Sequence, residues 1–278
     1  MTRKQLIDQI RKKQSYLCVG LDSDITKIPK HLLSHPDPVF EFNKKIIDAT
    51  KDLCVSYKVN TAFYEAAGSK GWATMEKTAD YIPKEHFKIA DAKRGDIGNT
   101  SSQYAKAFFE TLNFDAVTVA PYMGEDSIRP FLEYENKWAI VLGLTSNAGS
   151  KDFEQLKVAG DGPDNTDAGF VYESVLRKVN DWGNPGNLMF VVGATKARDL
   201  ERIRKIIPEH FLLIPGVGFQ GGSLEETTRF GMNRDCGLLI NVSRAIIFAS
   251  EGENYAEEAR MIATQYQTEM RKYLKIEN

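Results

Sequence analysis

Residues 88–100 read KIADAKRGDIGNT, so Asp91, Lys93 and Asp96 fall within six residues, directly after a short apolar run. Side chains alternate along a strand, which predicts Asp91 and Lys93 on the face of Phe87 and Ile89, with Ala90, Ala92 and Arg94 on the other. Unpaired charges on an inward face are costly, whereas opposite charges hold each other ionised. An isolated Asp-x-Lys is explained by a structural ion pair capping a strand. Two other apolar runs change that reading, because Asp22 closes GLDSD and Lys58 stands in YKVN. Asp, Lys, Asp and Lys are thus expected on one rim, a gathering of titratable groups that marks functional sites. A lysine kept cationic among acids is suited to donate a proton rather than to form a Schiff base.

A second chemical feature is GVGFQG at 216–221, which follows an apolar run and precedes a helical pattern. G-x-G-x-x-G is on its face a dinucleotide fingerprint, but that fingerprint opens the first βαβ unit of its domain, and this copy lies in the seventh unit. In a barrel the loops after strands seven and eight hold phosphate, through backbone N–H groups and a helix N-terminus. The eighth run ends in NVSRAI, which supplies Arg244 as a fixed cation. The two stretches therefore read as a clamp for a monophosphate. His31 and His35 have the i, i+4 spacing of a helical metal pair, but Pro36 and Pro38 interrupt the helix and no third ligand is near. No metal is expected, and no Ser-His-acid or Cys-His grouping has a recognisable context.

These residues need a scaffold that brings strand ends together. Eight short apolar, β-branched runs recur, beginning at Tyr16, Leu53, Phe87, Ala116, Trp138, Leu188, Phe211 and Gly237. Each is followed by turn residues and a stretch of helical periodicity. In the last stretch Tyr255, Ala259, Ile262, Tyr266, Met270 and Tyr273 form one apolar stripe. Eight consecutive β-α units predict a (β/α)8 TIM barrel, an α/β fold, as a single domain over residues 1–278 with an N-terminal helix. The long irregular segment after the fifth run, about 147–166, sits where barrels build active sites and is expected to act as a lid or binding loop.

Composition excludes several classes. With 36 Lys and Arg against 38 Asp and Glu, the net charge of -2 gives no reason to expect a binder of nucleic acid or an anionic membrane, which needs a basic face. No apolar run reaches the ~18 residues of a membrane span, and MTRKQLIDQIRKKQS reads as a surface helix rather than a leader. Cys18, Cys54 and Cys236 are odd in number and far apart in apolar runs, so reduced core thiols and a cytoplasmic protein are expected.

Taken in order, GLDSD, YKVN, DAKRGDIGNT, GLTSNAGS, PGVGFQGG and NVSR cover nearly the whole chain. In this series the chain resembles the orotidine 5'-phosphate decarboxylase family, in particular its longer bacterial subgroup with D-A-K-R-G-D-I. The resemblance implies conversion of orotidine monophosphate to uridine monophosphate and carbon dioxide, the last step of pyrimidine synthesis, without metal or organic cofactor. It implies Asp91 against the substrate carboxylate and Lys93 as proton donor to C6, with Asp22 and Lys58 on the ribose hydroxyls. It further implies that Asp96, Ile97 and Thr100 reach the partner's site in a homodimer with shared active sites. Ser146 would contact the pyrimidine edge, and Gln220 and Arg244 the phosphate. Two other readings stay open: a magnesium-dependent sugar-phosphate decarboxylase or aldolase-like synthase of the same superfamily, and a catalytically silent barrel that senses a nucleotide.

Overall fold

The computed structural model describes residues 1–159, 169–218 and 221–274. Its centre is a closed, all-parallel barrel of eight strands: β1 Leu17–Leu21, β2 Ser56–Asn60, β3 Phe87–Arg94, β4 Ala116–Val119, β5 Trp138–Leu144, β6 Leu188–Val192, β7 Phe211–Pro215 and β8 Leu238–Val242. Each strand pairs with its neighbours in chain order, and β1 closes on β8 through Leu17 opposite Ile240. The runs are nearly continuous in apolar residues because both strand faces are covered, one by the barrel interior and one by helices. The TIM barrel expected from the eight runs is the fold observed.

Local chemistry starts several of the outer helices. Asp37 caps Pro38–Thr50 by accepting from the Phe40 N–H at 3.2 Å, with Pro38 at the first helical position. Thr2 and Gln5 form a reciprocal capping box on Arg3–Lys13. That helix lies across the N-terminal ends of the strands, where Arg3 donates to the carbonyls of Pro185 and Glu209 at 2.8 and 2.7 Å. On the last helix, Tyr255–Leu274, the buried positions are Tyr255, Ala259, Ala263 and Met270, while Ile262, Tyr266 and Tyr273 are half-buried. The stripe is therefore centred on two alanines, which let the helix approach the barrel closely.

The described part of the segment after β5 has regular structure that its sequence does not suggest. It carries a 3-10 turn, Ala148–Lys151, and a two-stranded antiparallel ribbon in which Lys157–Val158 pairs with Gly169–Phe170. Residues 160–166 of the expected lid lie outside the described residues.

Candidate active site

The three strand ends with charged residues converge. Lys58 on β2 is 4% exposed, and its Nζ lies 3.1 Å from Asp22 Oδ1 and 2.8 Å from Asp91 Oδ2. Lys93 Nζ lies 2.6 Å from Asp91 Oδ1. The order Asp22, Lys58, Asp91, Lys93 alternates in sign, so each charge inside the row has an opposite neighbour on both sides. Burial alone would raise the Asp91 carboxyl, but the Lys58 and Lys93 ammonium groups outweigh it and hold the carboxyl well below the usual range. Burial likewise opposes a charge on Lys58, and the carboxylates of Asp22 and Asp91 reverse this, pushing its ammonium above the ordinary lysine value. Asp91 and Lys58 are thus fixed in their ionised forms. Lys93 differs in being half exposed, so its ammonium faces the cavity.

Asp91 and Lys93 both line the cavity, as alternation predicts, but the strand pairing that carries them is irregular. Between Ala90 and Arg94, β3 advances four residues while β4 advances only two, from Val117 to Val119. Such a bulge bends its strand and re-aims side chains, and bulges concentrate near active sites. Lys93 itself has φ 49°, the left-handed region, at a cost of about 1–3 kcal/mol for a residue with a Cβ. Opposite the bulge, Thr118 on β4 is fully buried, accepts from the Lys93 N–H at 2.9 Å and donates to Asp91 Oδ1 at 3.0 Å. Thr118 is a site residue that sequence reasoning missed. Its only signal was one threonine inside the apolar run AVTVAPY.

Arg94 leaves the site altogether: it pairs with Glu65 and lies over the Tyr104 and Phe108 rings. Asp96, Ile97 and Thr100 do not line the cavity of their own chain. Asp96 accepts from the Ile97 N–H at 2.7 Å, and its backbone is tied to the Ser101 hydroxyl at the start of the Gly98–Lys106 helix. Ile97 projects with 59% of its surface exposed.

The charged row forms one wall of a cavity of about 340 Å³ at the C-terminal mouth. Leu142, Val191 and Leu213 contribute apolar lining, and Ser146 and Arg244 also border it, as does the start of the glycine turn at Gly216 and Val217. Gly216 and Gly218 have φ 96° and 79°, and a Cβ on Gly218 would collide with the Tyr266 hydroxyl, so both positions need glycine. Gln220 lies outside the described residues. Gly193, just after β6, has the same kind of role beside Ser146, whose backbone nitrogen would stand 2.7 Å from a Cβ there. Thr145, next to Ser146, is held by the Glu154 carboxylate, which accepts from its N–H at 2.7 Å and its hydroxyl at 2.8 Å.

Among the described residues no three His, Cys, Asp or Glu side chains converge as metal ligands. The nearest carboxylates, Asp22 and Asp91, share an ammonium instead. All three cysteines are buried thiols, and no described helix is long and apolar enough to cross a membrane.

Comparison with known proteins gives a consistent result. The profile of the orotidine 5'-phosphate decarboxylase / HUMPS family matches residues 15–259. The orotidine 5'-phosphate decarboxylase of Phocaeicola vulgatus is 56% identical over 277 residues, which is 99% of each chain. Among solved structures, Leishmania donovani OMP decarboxylase is similar with a TM-score of 0.79 and 35% identity, over 96% of this chain and 99% of that one. Leishmania donovani UMP synthase matches at a TM-score of 0.80 and 36% identity over 95% of this chain, which spans 56% of that longer chain.

Proposed function

Because the chain belongs to the orotidine 5'-phosphate decarboxylase / HUMPS family, we propose that it decarboxylates orotidine 5'-monophosphate to uridine 5'-monophosphate and carbon dioxide, as a cytoplasmic enzyme of pyrimidine synthesis that folds as one domain. The observation that carries this reading is the continuity of one cavity from the alternating row Asp22–Lys58–Asp91–Lys93 to the glycine turn and Arg244. A phosphate held at the far side contributes binding energy that is realised at the reacting carbon. Gly216, Arg244 and, by motif, Gln220 take the phosphate; Asp22 and Lys58 take the ribose hydroxyls; Ser146 takes the pyrimidine edge.

In this reading the substrate carboxylate lies beside Asp91. As the C6–carboxylate bond breaks, its electron pair stays on C6, and the Lys93 ammonium stabilises the developing charge before passing its proton to that carbon. The ionised state of Asp91 supports the assignment, since an acid held anionic keeps its neighbouring lysine paired and oriented rather than competing as donor. No step calls for a metal or an organic cofactor.

The functional unit in this reading is a homodimer with shared active sites, to which Asp96, Ile97 and Thr100 contribute across the interface. Its support is the exposure of Ile97, Tyr122 and Met123, which follow β3 and β4 on one rim and are each at least half exposed. Apolar side chains gathered beside a polar site mark an interaction surface. The test is a spectrophotometric assay of orotidine monophosphate loss with purified, EDTA-treated protein. Turnover that survives the chelator supports the proposal, whereas no loss of orotidine monophosphate, together with magnesium-dependent turnover of a sugar phosphate, would favour the metal-dependent chemistry.

A further inference from the structure

We propose that Thr118 is the positioning residue that aims Lys93, by pinning the β3 bulge from inside the barrel; the inference rests on the decarboxylase reading for its kinetic consequence but not for its geometry. Asp91, Ala92 and Lys93 lie between the paired positions Ala90 and Arg94, whereas β4 offers only Thr118 between Val117 and Val119. The three bulged residues therefore have a single residue opposite, and its hydroxyl binds both ends of the bulge. It accepts from the Lys93 N–H at 2.9 Å and gives its own proton to Asp91 Oδ1 at 3.0 Å. The ladder resumes beyond, where the Ala120 N–H donates to the Arg94 carbonyl at 2.8 Å.

This arrangement solves two problems with one group. A lysine in the left-handed region needs its surroundings to hold it there, and the displaced Lys93 N–H, turned away from the ladder, needs an acceptor. The same hydroxyl orients Asp91 Oδ1, the atom that receives Lys93 Nζ at 2.6 Å. Backbone and tip of Lys93 are thus fixed from the same atom. Thr118 does not itself line the cavity; it acts on it through its hydrogen bonds to Asp91 and Lys93, which do. Valine has the same shape and the same preference for strands but no hydroxyl, so the substitution removes the two hydrogen bonds and little else.

The experiment compares wild type, Thr118→Val and Thr118→Ser by crystallography and by kinetics. In crystals of T118V, Lys93 should leave the left-handed region and its Nζ should lose contact with Asp91, while T118S keeps both. This arm needs no activity, so an inactive wild type would refute the decarboxylase reading and still leave the geometry decided. In the kinetic arm T118V should lose about 10- to 100-fold in kcat, with KM for orotidine monophosphate little changed, and T118S should recover most of the rate. A merely structural role would lower the melting temperature without that split between kcat and KM. Lys93 unmoved in T118V, kcat within two-fold of wild type, or T118S as impaired as T118V would each overturn the inference. Should T118V not fold, T118A removes the same hydroxyl without placing an apolar methyl beside Asp91, and is judged on the same criteria.

Discussion

At Lys58 a single ammonium serves two carboxylates, and its removal would leave Asp22 facing Asp91 with only the half-exposed Lys93 to offset the pair. Breaking a buried pair in this way costs about 3–5 kcal/mol, so Lys58→Ala should lower the unfolding free energy by about that amount in urea titrations. The same coupling sets a pH dependence. Asp91 titrates lower in the folded chain than in the unfolded one, so its contribution is complete above the ordinary aspartate value of about 3.9, declines as pH falls below it, and is gone once pH has fallen through the folded value. Lys58 runs the opposite way, contributing fully below about 10.4 and losing the contribution as pH rises through its raised folded value. Asp91→Asn should therefore show a smaller drop in stability between pH 5 and pH 3 than wild type, measured by denaturant midpoint. The residue types were plain in the sequence, because Asp-x-Lys after an apolar run has few inexpensive explanations. The bond between Thr118 and Lys93 was not, since nothing in β3 alone specifies which residue of β4 stands opposite.

The strands were legible as elements because burial on both faces leaves each as an uninterrupted apolar run. Their irregularities were not. A bulge is a mismatch between two strands, so KIADAKR by itself reads as a regular alternation and puts Lys93 in register with Asp91; the paired β4 segment is what forces the extra residues out. The ribbon of Lys157–Val158 and Gly169–Phe170 is two residues on each side, too short for a periodic signal, and it exists because the two ends of the loop meet. Closure of that loop matters for the Thr145–Ser146 turn, which Glu154 holds from within the loop and Gly193 accommodates from β6. Gly193→Ala should push Ser146 out of place, raising KM for orotidine monophosphate by about ten-fold or more while the melting temperature falls little. A KM equal to wild type would mean that Ser146 does not contact the substrate.

Across the whole molecule, the family match over residues 15–259 and the closed barrel agree with the eight β-α units read from the sequence. A dimer with shared sites is suggested by the resemblance alone, because DIGNT carries no feature that would distinguish a residue bound for a neighbour's cavity from one on an ordinary loop. If sites are shared, inactive Lys93→Ala and Asp96→Ala proteins should regain activity when mixed and allowed to exchange subunits, since one site of the mixed dimer then has both groups intact. Absence of any recovery, with exchange demonstrated by mass, would confine each site to one chain. The central claim is that Lys93 delivers the proton while the rest of the cavity binds the nucleotide, and it is tested most directly by measuring turnover and uridine monophosphate binding together in Lys93→Ala. Loss of turnover with product affinity retained is the expected result; near-normal turnover would contradict it.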